Sequence, residues 1–177
     1  MNTLLNPSRR RLLTGKQPQQ PAPLRLPWVV NEATFKANCT QCYKCVDICQ
    51  TSIITFDEQG FPKVDLEQDE CTFCHYCTDV CKQPIFTKDK KNEPWPIRVL
   101  IADNCLAKNN VYCQSCRDVC ETSAITFSHF NNDENGQLQA SLVPQPTLTQ
   151  SDCTLCGACL SSCPQGAIAI HRLEEQL

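Results

Sequence analysis

Apolar positions in this chain come in short, repeated bursts rather than in long helical stripes. Ile53, Ile54 and Phe56 follow Cys49, and Ile85 and Phe86 follow Cys81. Ala124, Ile125 and Phe127 follow Cys120, and Ala167, Ile168 and Ile170 follow Cys163. The register is the same each time, which marks an internal repeat. Runs this short predict β-strands, such as Ile53 to Phe56 and Ala124 to Phe127, and turn signals at Asp57 to Gly60 and Asn131 to Gly136 close two hairpins. No apolar run nears the roughly 18 residues of a membrane span.

The polar stretches set the boundaries. Residues 1–31 carry Arg9, Arg10, Arg11, Lys16 and Arg25, no acidic residue and five of the twelve prolines, which predicts a basic, extended, flexible arm. Only Pro7 to Leu13 has the makings of a short helix there. Ser8-Arg9-Arg10-Arg11-Leu12-Leu13 is similar to the start of a twin-arginine export signal, but the run from Thr14 to Pro21 is too polar to follow as its apolar segment. A cytoplasmic arm is therefore expected. Lys82 to Asn104, with Lys88, Lys90, Lys91 and Pro94-Trp95-Pro96, reads as a linker between two halves. The expected division is an arm over 1–31, one module over 32–93 and a second over 94–177.

Composition changes the picture because sixteen of the 177 residues are cysteine, about 9% of the chain, a level at which cysteine chemistry must supply part of the fold. They form four quartets: Cys39, Cys42, Cys45 and Cys49; Cys71, Cys74, Cys77 and Cys81; Cys105, Cys113, Cys116 and Cys120; and Cys153, Cys156, Cys159 and Cys163. The first, second and fourth have the C-x2-C-x2-C-x3-C spacing of bacterial two-cluster ferredoxins, in which three cysteines wrap one iron–sulfur cubane and the fourth reaches the other cluster. Structural zinc favours two separated C-x2-C knuckles, and disulfides require no such regularity.

The third quartet is stretched, with seven residues between Cys105 and Cys113 instead of two. Cys105 is expected to reach the cluster through this longer loop. The alternatives are a three-iron cluster, a weakly filled site or a cysteine kept for packing. The chain is thus expected to hold four [4Fe–4S] clusters, with iron bound through the sixteen cysteines.

Pairing quartets in chain order assigns Cys39, Cys42, Cys45 and Cys81 to one cluster, and Cys71, Cys74, Cys77 and Cys49 to the next. Cys105, Cys113, Cys116 and Cys163 take the third, and Cys153, Cys156, Cys159 and Cys120 the fourth. The rival topology pairs the first quartet with the fourth and the second with the third. The fold class expected is α+β: two tandem ferredoxin-like modules, small and stabilised by their clusters, with an extended N-terminal arm.

Charge and the remaining residues narrow the chemistry. Formal net charge is −3, and four oxidised cubanes would take it to about −11, which disfavours nucleic acid. Five glycines form no G-x-G-x-x-G or Walker loop, so nucleotide and flavin chemistry have no visible home and no enzymatic activity is expected. His75, His129 and His171 do not form the pair that a Rieske site requires and are expected near or outside the sites. Tyr43, Phe73 and Tyr76 lie inside the ligand loops and are expected to shield them from water.

Taken together, Ser8-Arg9-Arg10, Leu13-Thr14-Gly15, Pro27-Trp28, Glu70-Cys71-Thr72-Phe73-Cys74, Cys105-Leu106-Ala107 and Cys156-Gly157-Ala158-Cys159 resemble the NapF family, ferredoxin-type accessory proteins encoded with the bacterial periplasmic nitrate reductase. The resemblance covers nearly the whole chain. It implies a cytoplasmic iron–sulfur protein that contacts the precursor of the reductase catalytic subunit and assists its maturation before export. It also favours Cys105 as a ligand, since the family shares the stretched quartet. Two other functions fit the quartets themselves: an electron-transfer subunit of an oxidoreductase, and a redox-silent, metal-stabilised adaptor.

Overall fold

The computed structural model describes residues 23–88, 93–132 and 137–173. The helix expected over Pro7 to Leu13 lies outside them. Helix α1 (Glu32–Asn38) starts at Asn31, whose side chain accepts from the Thr34 N–H at 2.8 Å, and buries Phe35. Such a cap contributes about 1 kcal/mol.

Four one-turn helices follow, each carrying the third cysteine of a quartet: α2 (Lys44–Asp47), α3 (Tyr76–Asp79), α4 (Ser115–Asp118) and α5 (Ala158–Ser161). Helix α2 packs on α3, and α4 on α5. Between the paired quartets run the two expected hairpins. Strands β1 (Ile54–Phe56) and β2 (Pro62–Val64) form one, and β4 (Ile125–Asn132) and β5 (Leu138–Leu148) the other. Pro62 and Pro146 are tolerated because each sheet has two strands and therefore only edges.

The apolar runs after Cys81 and Cys163 find different partners. Phe86 bridges antiparallel to Val29, and β6 (Ile168–Arg172) pairs with β3 (Ile97–Ile101) from Ile97 opposite Arg172 to Ile101 opposite Ile168. In each half, chain that precedes the first quartet pairs with chain that follows the last.

That pairing corrects two expectations. The arm ends before residue 31: Arg25, Leu26 and Trp28 are all buried. Lys82 to Asn104 is also more than a linker, since Ile85, Trp95, Ile97 and Val99 are buried and residues 97–101 are a strand. Trp95 donates its indole N–H to the Arg25 carbonyl at 2.7 Å and packs on Phe73 with ring centroids 6.0 Å apart. One apolar core therefore runs through both halves, from Leu26, Ile53 and Leu66 through Trp95 to Ile125, Leu155 and Ile168.

Arg25 is the one charged residue in this interior among the described residues. Its guanidinium bonds Glu32 twice, at 2.7 and 2.8 Å, Asp57 at 2.8 Å and the Pro62 carbonyl at 3.0 Å, and it lies over the Phe35 ring at 4.7 Å. It ties α1 to the β1–β2 hairpin. The Arg25 bond holds the Glu32 carboxyl below the ordinary range. Burial works against ionisation of Asp57, but the bonds from Arg25 and from the N–H groups of Phe61 and Gln59 prevail and lower it too.

Arg25→Met is expected to cost on the order of 3 kcal/mol, since it strands partly buried carboxylates. Chemical denaturation of the iron-loaded protein measures it. Both carboxyls are lowered on folding, so their contribution is complete above the ordinary carboxylate pKa and is lost as the pH falls through the lowered values. The gap between wild type and variant should therefore be widest at neutral pH and close on acidification; a gap that does not change with pH would contradict the ion-pair account.

Candidate iron–sulfur centres

The first, second and fourth ligand loops reverse through left-handed residues on either side of their second cysteine and end in a one-turn helix. Gln41, Phe73 and Leu155 stand just before the second cysteine with φ of 52°, 52° and 65°. Tyr43, His75 and Gly157 stand just after it with φ of 61°, 64° and 93°. Alternation between right- and left-handed residues turns successive backbone N–H groups towards one side, forming a concave cradle for anionic atoms. The N–H groups of Phe73 and Leu155 bond the Cys71 and Cys153 sulfurs, and that of Lys44 lowers the Cys42 thiol below its ordinary pKa. After the last cysteine the Ala167 N–H meets Cys163 Sγ at 3.2 Å.

The cysteines gather around four cavities. Cys39, Cys42, Cys45 and Cys81 line one of about 190 Å³. Cys120, Cys153, Cys156 and Cys159 line another of about 230 Å³, joined there by Cys71. Cys49, Cys71, Cys74 and Cys77 surround a narrower cleft of about 30 Å³, and Cys105, Cys113, Cys116 and Cys163 one of about 20 Å³. Each set takes three cysteines from one loop and the fourth from its partner quartet. Cys49 does not meet the fourth quartet's loop, as the rival topology requires, but stands with the second.

The stretched loop is accommodated without displacing Cys105. Ala107–Asn109 forms a turn of 3₁₀-helix with Ala107 fully buried, and Asn110 closes it in the left-handed region at φ 61°. Asn109 Nδ2 bonds the carbonyls of Asp103 and Cys105 at 2.6 and 2.8 Å, and Gln145 Nε2 bonds that of Ala107 at 2.7 Å. The extra residues fold back against β5, leaving Cys105 beside Cys113 and Cys116.

Electrostatics couple the thiols within each set and, at Cys77 and Cys159, also to a cysteine of the neighbouring set. Burial, then the neighbouring Cys39 thiolate, pushes the Cys45 thiol up to about 11. Burial and the thiolates of Cys71, Cys45, Cys74 and Cys49 raise Cys77 to about 12. Cys116 is raised to about 11 by burial, Cys105, Cys163 and Cys113, and Cys159 to about 12 by burial with Cys153, Cys156, Cys116 and Cys120. Thiols packed this way resist ionisation until a cation joins them, so loading with iron must release protons.

The donor set fits a cubane better than a single ion. All sixteen cysteines are free thiols. Among the described residues, no three His, Cys, Asp or Glu side chains converge closely enough to hold one metal ion. Four thiols spread around a cavity suit a group that offers each its own iron.

Residues 38–85 and 111–167 match the 4Fe-4S dicluster domain family, the second match beginning beyond Cys105. A curated protein named "Ferredoxin-type protein NapF" from Haemophilus influenzae is 36% identical over 183 residues, covering 98% of both chains. Another of the same name, from Escherichia coli K12, is 34% identical over 169 residues, covering 96% of this chain and 97% of its own. The chain belongs to the NapF family of ferredoxin-type proteins. Its sixteen cysteines and two dicluster segments fit about four [4Fe–4S] clusters, two to a segment.

Other side chains are placed less simply. Tyr43 and Tyr76 line the cavities of the first and second quartets but are partly exposed, whereas Phe73 packs inward, against Trp28 and Trp95. His75 stacks on Trp28 with centroids 4.4 Å apart, while His129 and His171 are exposed. The sequence reading missed the hydroxyls beside the sulfurs: Thr51 Oγ1 lies 3.7 Å from Cys49 Sγ and Thr122 Oγ1 3.8 Å from Cys120 Sγ. Their signal was available, since both stand two positions past the last cysteine of their quartet.

Proposed function

We propose that this chain is a cytoplasmic [4Fe–4S] protein that assists maturation of the periplasmic nitrate reductase catalytic subunit before export, by redox or iron–sulfur chemistry. The observation that carries the reading is the full-length similarity to two ferredoxin-type proteins named NapF. The sixteen cysteines hold the iron in the four sets that line the cavities, Cys105 among them. The two halves, divided near residue 93, act as two-cluster modules.

The bound clusters would supply one-electron chemistry; the chain positions them, covers them with apolar side chains and directs backbone N–H groups at their sulfurs. The chain acts as an electron-carrying accessory protein, a reading supported by the ferredoxin-type name of its relatives and by the dicluster family match. Among the described residues no helix is long and apolar enough to cross a membrane.

The test is capture of the reductase precursor from cytoplasm by full-length, arm-deleted and Cys-to-Ser versions, followed by assay of the exported reductase. The full-length chain should retain the precursor and the iron-poor versions should lose it. If no version captures the precursor and the reductase matures normally without this protein, the maturation reading fails. A second reading, as an electron-transfer subunit, is favoured by the shared lining of two centres, where Cys71 joins the cavity of the fourth quartet.

A further inference from the structure

Gly157 does not owe its identity to backbone conformation alone. The equivalent residues of the first two loops, Tyr43 and His75, are also left-handed, at φ 61° and 64° against 93° at Gly157, and carry full side chains. What distinguishes position 157 is its neighbour: a Cβ there would lie 2.8 Å from both Cβ and Cδ2 of Leu66, in the other half of the chain. Beside it the Cys71 N–H donates to the Cys156 carbonyl at 2.8 Å. Backbone of the second ligand loop thus touches backbone of the fourth, across the boundary between halves. The cavities of the first quartet and of Cys105 with Cys163 have no such contact; each is lined from its own half.

We infer that Leu66, Cys71, Cys156 and Gly157 form an electron junction that joins the two halves into one path, in the order first, second, fourth, third centre. The inference rests on the iron–sulfur reading above. An electron crossing the junction leaves one cubane oxidised by one unit and the other reduced by one, with no bond or proton changed. The electron enters from an external one-electron reductant. Leu66 and Gly157 are positioning residues: tunnelling weakens steeply with distance, and their close packing holds the two loops in hydrogen-bond contact.

The experiment uses the full iron-loaded chain reduced with dithionite, read by electron paramagnetic resonance beside iron and sulfide content. Wild type should show spin coupling between the second and fourth centres, in addition to coupling within each half. Gly157→Tyr copies the residue that the first loop carries naturally, so its loop should still bind iron, but the ring has no room beneath Leu66. Loss of the cross-half coupling with iron content unchanged is the expected result. Leu66→Glu, which alters no ligand loop, should give the same loss and carries the test if Gly157→Tyr binds iron poorly. A wild-type spectrum explained by two isolated pairs overturns the junction, as does coupling retained in iron-replete Leu66→Glu. A wild-type protein without iron and sulfide instead overturns the iron–sulfur reading beneath it.

Discussion

Stripping the iron with a chelator under reducing conditions is expected to unfold the whole chain. Little in the polypeptide could hold without it. Four of the five α-helices among the described residues are one turn long, and each sheet has two strands, both below the size that persists alone in water. The iron-free state must also keep Cys45, Cys71, Cys77, Cys116 and Cys159 packed beside other thiols with no cation to organise them. Metal binding in such small frameworks is folding free energy. Circular dichroism and hydrogen exchange before and after chelation measure this. A cooperative melting transition and protected amides in the iron-free chain would show that the apolar core suffices.

Removing a cysteine that crosses between quartets should empty a site centred on the other loop. Cys163→Ser is expected to cost one cubane, lowering iron from ~16 to ~12 per chain, because it stands with Cys105, Cys113 and Cys116. Double variants make the assignment sharp. Cys163→Ser with Cys113→Ser should lose no more iron than either alone, since both act on one site, whereas Cys163→Ser with Cys156→Ser should lose twice as much. Iron analysis with the resonance spectrum decides it. Additive loss in the first pair and not the second would reverse the proposed ligand sets.

The cysteine framework was legible in the sequence because its spacing is itself a geometric instruction: three positions apart, around a reversing loop, for three corners of a cubane. The hairpins were legible for a similar reason, since Ile53 to Phe56 and Ala124 to Phe127 are bounded by turn residues. Lys82 to Asn104 was misread because Lys88, Lys90 and Lys91 suggested solvent. Ile97 and Val99 alternate with Arg98 in the manner of a half-buried strand, but their partner β6 lies some seventy residues on. Arg25 was misread more deeply. A lone arginine among prolines looks solvated until Glu32, Asp57 and Phe35 are known to converge on it, and no local pattern brings these three together. No local pattern in the sequence ties the glycine at 157 to Leu66, whose placement beside it only the fold reveals.

The shared core has a consequence for how such a chain can be divided. Its internal repetition invites the view that either half could be expressed, exchanged or fused elsewhere as a unit. A fragment ending at residue 88 would leave Phe73 and Leu66 without the Trp95 and Gly157 that pack against them, and the complementary fragment would bare Trp95 in turn. Each piece would carry a sticky apolar face alongside oxygen-sensitive sites. Whatever ancestry the repeat reflects, Trp95 has turned the seam into interior, and the two halves are now inherited, folded and damaged together.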